Sequence, residues 1–179
     1  MNQTEIQYRQ IIEKCQGIFT KKNLDYGTSW RILRLPSITD QIFIKAQRIR
    51  TLQEKGISKV NEGIEPEFVG IINYCIMALI QLDLVNDTRM ELPVDELVSK
   101  YEAEVQATMD LLFAKNHDYG EAWREMRVSS MTDIILMKIF RTKQIEDNNG
   151  QTLISEGVDA NYRDMINYAV FCLIKMEEK

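Results

Sequence analysis

Two cations spaced three residues apart occur twice in the chain, as Lys45 with Arg48 and as Lys138 with Arg141. On a helix this spacing places both side chains on one face. Lysine meets a phosphate as a point charge and arginine as a planar fork, so each pair suits a di- or triphosphate. Carboxylates on a neighbouring helix are the alternative partners, and the sequence leaves both interpretations open.

Oxygen-bearing side chains gather near the end of the chain. Glu156 is followed by Asp164 and Asn167, which are three residues apart and share a helix face. Mg²⁺ prefers oxygen ligands and usually keeps several waters. Glu156 and Asp164 beside a cation pair therefore predict a Mg²⁺ site that faces phosphate oxygens, with Asn167 as a further ligand contact. A salt bridge from Asp164 to an arginine is the alternative.

A third candidate is the segment 115–124, which combines cations, an acid and aromatic rings. Its candidate ligand-binding residues are Lys115, Asp118, Tyr119, Trp123 and Arg124. Aromatic rings can stack on a flat base while the cations meet phosphate. In the structural alternative, Gly120 ends a helix and the rings anchor the turn in the core.

These motifs belong to an internal repeat. Residues 22–48 match residues 115–141 without a gap, with 14 of 27 positions identical, and the match resumes where Glu62 aligns with Glu156. A period this long indicates a duplicated domain. We expect a first repeat over 1–90 and a second over 91–179, packed as one body because each alone is small.

The two copies differ where the metal site is predicted. Gly70 of the first copy stands opposite Asp164 of the second, so the second copy carries the more complete set of acids. We therefore place the metal ligands at Glu156 and Asp164, with Glu62 contributed by the other copy.

The elements that must position these residues are helices. Apolar residues recur at helical spacing almost throughout, and strand patterns are weak. The pattern predicts an all-α protein of two tandem helical-bundle repeats with pseudo-twofold symmetry. The predicted helices are 4–23, 38–55, 66–86, 94–116, 131–147 and 160–177.

Two serines, each three residues before an aspartate, precede helical patterns. They are Ser37 with Asp40 and Ser130 with Asp133. This spacing is typical of a capping box, in which the serine oxygen accepts from a first-turn amide and the acid reaches back. It favours capping over metal binding for the two aspartates. Pro66 is likewise expected in the first turn of the third helix.

Composition narrows the class of partner. The net charge is −5, with +2 over residues 1–90 and −7 over residues 91–179, which disfavours binding to duplex nucleic acid. We expect no membrane-spanning stretch and no signal peptide. Three scattered cysteines fit reduced thiols, so we expect a cytoplasmic protein.

The repeated motifs resemble the nucleotide modification associated domain 1 family, once per copy. The matching residues are the Lys-Asn-x-Asp-Tyr-Gly segment, Lys-x-x-Arg, and Glu156, Asp164, Asn167 and Tyr168. The arrangement is also distantly similar to the all-α nucleoside triphosphate pyrophosphatases of the MazG and dimeric dUTPase type, which bind Mg²⁺ through helical acids.

This resemblance implies a Mg²⁺-dependent nucleoside triphosphate pyrophosphohydrolase that acts on a canonical or modified nucleotide. A metal-polarised water would then attack phosphorus. A non-catalytic nucleotide-binding protein, or a structural protein in which every motif is cap and core, are the alternatives. A nucleotide or other phosphorylated small molecule is the expected partner, and a homo-oligomer is compatible with the sequence.

Overall fold

The computed structural model describes residues 2–56 and 60–178, with side chains for all of these except residues 60–62 and 116–119. The described chain is helical and contains no strand. The first repeat consists of α1 (Gln3–Tyr26), α2 (Leu35–Lys55) and α3 (Val60–Asp83), and the second of α4 (Val94–Tyr119), α5 (Val128–Asp147) and α6 (Val158–Glu177). Short 3₁₀ turns, Ser29–Ile32 and Ala122–Glu125, connect α1 to α2 and α4 to α5. The predicted all-α class is confirmed.

The helices α2, α3 and α5 start earlier than predicted, and the difference is largest for α3. The helix α3 starts at Val60, so Pro66 lies inside it rather than in its first turn. A proline removes one backbone hydrogen bond from a helix. Ile64, on the N-terminal side of the proline, is buried in the core, and its burial stabilises the additional turn.

The capping boxes are also not formed. The helices α2 and α5 start before the serines, after Arg34 and Arg127, and neither helix has a side-chain cap. The serines therefore lie within the first turn. The aspartates instead pair across the repeats, Asp40 with Lys143 at 3.1 Å and Asp133 with Arg50 at 3.6 Å.

These cross pairs are part of a pseudo-twofold arrangement. The helices α2 and α5 pack together, as do α3 and α6. The first helix of each repeat also contacts the last helix of the other, α1 against α6 and α4 against α3. Because both repeats contribute to each of these interfaces, they share one hydrophobic core.

The helix α3 lies at the centre of that core. Its segment Gly63–Asp83 has a mean hydropathy of 1.4, so it is long and apolar enough to cross a membrane by length and composition. The expectation that no stretch would meet this criterion was wrong. Within the protein, 61% of the apolar 18-residue stretch of this segment is buried, because α3 packs against α2, α4 and α6.

Candidate functional site

One open cleft in the second repeat lies between α5, α6 and the loop that joins them, and has a volume of about 1310 Å³. Five of the predicted site residues line it: Lys115, Lys138, Arg141, Glu156 and Asp164. They come from the end of α4, the face of α5, the α5–α6 loop and the first half of α6. Three cations and two carboxylates thus converge although they are spread over 50 residues of sequence.

The charges in this cleft are only partly paired. Nζ of Lys138 donates to Oδ2 of Asp164 at 2.9 Å, and both side chains are more than two-thirds buried. Arg141 is exposed and has no ion-pair partner among the described residues. Lys115, at the end of α4, is also exposed and lines the same cleft. The cleft therefore presents two cations that a ligand could reach directly.

The first repeat pairs its cations differently. Glu67 lies 3.6 Å from Lys45 and 2.7 Å from Arg48, so one acid serves both. In the second repeat, Asn161 stands at the position that corresponds to Glu67. The acid of that repeat, Asp164, lies about one helical turn later. This one-turn shift keeps the lysine paired and leaves Arg141 free within the described part of the chain.

Trp123 and Arg124, two of the predicted ligand-binding residues, do not line this cleft. Trp123 is buried and stacks on Phe171, with ring centroids 4.2 Å apart and planes inclined by 6°. Arg124 lies over the indole and donates to Gln7 at 2.7 Å and to Glu178 at 3.1 Å. Both residues fasten the turn after α4 to α1 and α6, as the structural alternative predicted.

Asn167 is held by the core. Its Oδ1 accepts a 2.8 Å hydrogen bond from the hydroxyl of Tyr8, and the residue is buried. Asn167 also lines a neighbouring hollow between α4 and α6. A ligand in that hollow would meet its amide nitrogen. The predicted contacts Asp118 and Tyr119 and the predicted metal ligand Glu62 lie outside the residues whose side chains are described.

The donors for a metal are few. Among the described side chains, no group of three histidines, cysteines or acids is arranged to hold a metal ion. Glu156 and Asp164 line the same cleft as the cations. Mg²⁺ is commonly held by one or two carboxylates together with substrate phosphates and water, so this pair fits a metal that arrives with a phosphorylated ligand.

A buried polar cluster formed by Glu104, Thr108 and Arg163 was not predicted from the sequence. Arg163 donates to Oε2 of Glu104 at 3.0 Å and to the hydroxyl of Thr108 at 2.8 Å. Burial raises the pKa of the Glu104 carboxyl to about 7, with the nearby Asp83 carboxyl adding to the shift.

The repeat itself contained a signal for this cluster. The corresponding residues of the first copy are all apolar or neutral: Val69, Ile11 and Cys15. Three positions that change from apolar to polar together indicate that the three side chains are in contact.

The family model for nucleotide modification associated domain 1 matches the chain twice, over residues 22–82 and 115–176. The chain belongs to this family. Each match spans the end of one first helix, the following turn and the two later helices of that repeat. Searches of curated proteins and of solved structures found no match. The two domain copies agree with the predicted tandem duplication.

Proposed function

We propose that the second-repeat cleft binds the phosphates of a nucleotide. The observation that supports this is the convergence of Lys115, Lys138 and Arg141 on one open cleft in a domain associated with nucleotide modification. Phosphates need several cations that are not already neutralised. The shift of the acid from the position of Glu67 to that of Asp164 provides this, because it releases Arg141.

Each side chain has a part in this proposal. Arg141 takes two phosphate oxygens through its fork, and Lys115 neutralises charge from the end of α4. Leu153 and Ile154, on the α5–α6 loop, are almost completely exposed and line the same cleft. A base or sugar that packs on these two side chains removes apolar surface from water, which favours binding.

Glu156 and Asp164 would hold Mg²⁺ that enters with the phosphates. The metal would supply charge neutralisation and, in a hydrolase, a more acidic bound water. Lys138 is then released from Asp164 and becomes the third cation for the phosphates. The protein groups thus exchange partners when the ligand binds, and no buried charge remains unpaired.

Nucleoside triphosphate pyrophosphohydrolysis is the more specific form of this proposal. It is favoured by the two acids that line the wall of a phosphate-binding cleft. Binding without catalysis is the second candidate, and it is favoured by the small number of acids among the described side chains. Incubation with each canonical and modified nucleoside triphosphate and Mg²⁺, followed by assay for pyrophosphate, distinguishes the two. Saturable binding without pyrophosphate release would support the second.

The binding proposal is tested by calorimetric titration of deoxynucleoside triphosphates into two matched variants. Arg141→Gln removes a cation that has no ion-pair partner among the described residues, whereas Arg48→Gln removes its counterpart, which is paired with Glu67. We expect Arg141→Gln to weaken binding about tenfold or more, equivalent to about 1.4 kcal/mol, and Arg48→Gln to have little effect. Equal affinities for the two variants would contradict the assignment of the phosphate site.

A further inference from the structure

A second pocket, in the first repeat, has different chemistry. It has a volume of about 560 Å³ and lies between the end of α1, the following 3₁₀ turn and α3. Its aromatic lining includes Tyr26, Trp30 and Tyr74. Ligand pockets in proteins have volumes of about 300–1,000 Å³ and predominantly apolar or aromatic walls.

The two tryptophans of the repeat explain why this pocket is open. Trp123 in the second repeat is buried against Phe171. The residue that corresponds to Phe171 is Met77 in the first repeat, and Trp30 is only partly buried beside it. With Met77 in place of the stacked phenylalanine, Trp30 forms part of the pocket wall.

The polar groups of the pocket are cationic or neutral. Lys22 and Lys45 line it, and no described acid does. Outside the lining, Glu67 lies 3.6 Å from Lys45. A Cβ atom on Gly70 would lie 2.6 Å from the side chain of Lys45, so the lysine occupies the space in which the second repeat places Asp164. Without that carboxylate there is no acid in the lining to recruit a divalent cation.

One polar atom in the lining has no partner. Oδ1 of Asn23 is buried and accepts no hydrogen bond within the described part of the chain. Asn73, by contrast, is fully used, since it donates to the carbonyl of Cys15 at 3.0 Å and accepts from Tyr101 at 2.8 Å. A buried acceptor without a donor is costly. This oxygen has almost no accessible surface, so a ligand N–H would satisfy it once the Asn23 amide turns toward the pocket.

We propose that this pocket is a second, metal-independent binding site for a planar heteroaromatic ring that carries one phosphate, such as a nucleoside monophosphate. The ring stacks on Trp30, and an N–H on its edge donates to Asn23. The phosphate meets Lys22, which has no ion-pair partner among the described residues, and draws Lys45 away from Glu67, which keeps its pair with Arg48. The site is independent of the second-repeat cleft, so either proposal can fail without the other.

Trp30 provides a direct probe of this site. The variant Trp123→Phe leaves Trp30 as the single tryptophan. Its fluorescence is followed during titration with the four common deoxynucleoside monophosphates in EDTA, with excitation at the red edge, where nucleotides do not absorb. We expect saturable quenching by at least one of them, and calorimetry on the unmodified protein should give the same affinity. Absence of saturable binding in both measurements would overturn the proposal.

Two variants locate the binding within the pocket. Lys22→Gln should weaken it about five- to tenfold. Gly70→Asp recreates the acid of the second repeat and should weaken it at least tenfold, while Gly70→Asn, which has the same shape but no charge, should have a smaller effect. Arg141→Gln should leave this binding unchanged. Quenching that is insensitive to Lys22→Gln and Gly70→Asp would contradict the assignment, as would loss of quenching in Arg141→Gln.

Discussion

The hydroxyl of Tyr8 donates a 2.8 Å hydrogen bond to Oδ1 of Asn167 across the boundary between the two repeats. The equivalent bond runs from the second repeat to the first: the hydroxyl of Tyr101 donates to Oδ1 of Asn73, also at 2.8 Å. Both pairs are buried. These bonds link the first helix of each repeat to the last helix of the other. Each buried asparagine therefore depends on the other repeat for its hydrogen-bond donor.

Removal of one hydroxyl should destabilise the whole protein. In Tyr8→Phe, the oxygen of Asn167 loses its partner and stays buried, so we expect a loss of about 1–3 kcal/mol in the free energy of unfolding. Tyr101→Phe is the matched variant and should lose a similar amount. Urea unfolding followed by circular dichroism measures both, and each variant should unfold in a single transition. Two separate transitions would show that the repeats do not share one core.

Asp164→Asn should change nucleotide affinity in opposite directions with and without Mg²⁺. In EDTA the substitution frees Lys138 for phosphate, so we expect tighter binding of nucleoside triphosphates than in the unmodified protein. With Mg²⁺ it removes a metal ligand, so we expect weaker binding, about tenfold in each direction. Calorimetric titrations under the two conditions provide the measurement. Asp133→Asn, which removes an acid outside the cleft, is the control and should show neither effect.

The Glu104 carboxyl should make stability depend on pH. Its pKa is raised to about 7 in the folded protein, mainly by burial, from an ordinary value of 4.5. Protonation therefore favours the folded state, and the stability from this group is present below about pH 4.5 and lost as the pH rises through about 7.

Glu104→Gln should flatten this part of the stability profile. As the pH rises from 4.5 to 8, the free energy of unfolding of the variant should rise by on the order of 1–2 kcal/mol relative to that of the unmodified protein. The Arg163 charge limits the size of the effect. Asp83→Asn removes the neighbouring negative charge and should reduce the slope only in part. Chemical denaturation at several pH values tests both variants, and a slope unchanged in Glu104→Gln would exclude this carboxyl as its source.

Ser37 and Ser130 should tolerate substitution, although the sequence gives them the spacing of helix caps. Both serines lie inside the first turn of their helices, which start at Leu35 and Val128. We expect Ser37→Ala and Ser130→Ala to change stability by less than about 0.5 kcal/mol. Asn2→Ala is the comparison, since the Asn2 side chain accepts from the amide of Glu5 at 2.8 Å and caps α1. It should cost about 0.5–1 kcal/mol, and thermal unfolding ranks the three.

Sequence periodicity predicted the helices well because burial of an apolar stripe requires the same spacing in any helical bundle. The starts of α2 and α5 were predicted less well. There the polar pattern of Ser37 and Asp40 satisfies the capping rule, but packing of the preceding turn starts the helix earlier. The aspartate is then available for Lys143 in the other repeat, a contact that no local pattern encodes.

The structure brings the predicted charged residues of the second repeat to one cleft and leaves the predicted Trp123 outside it. Lys138 and Asp164 meet because two faces at helical spacing pack together. Trp123 looked like a ligand contact because aromatic rings serve equally well in a core and in a binding site. Whether such a ring is covered depends on one distant residue, which is Phe171 for Trp123 and Met77 for Trp30.

By itself the sequence determined the duplication, the helical class, the family and the positions at which the two copies differ. These follow from identity and periodicity, which are properties of the chain read in order. The tertiary structure decided which carboxylate neutralises which cation, which helix closes each repeat, and which tryptophan faces a pocket. Those outcomes depend on distances between residues far apart in the chain. Two differences on one helix face, Asn161 in place of Glu67 and Asp164 in place of Gly70, are enough to redirect the ion pairs.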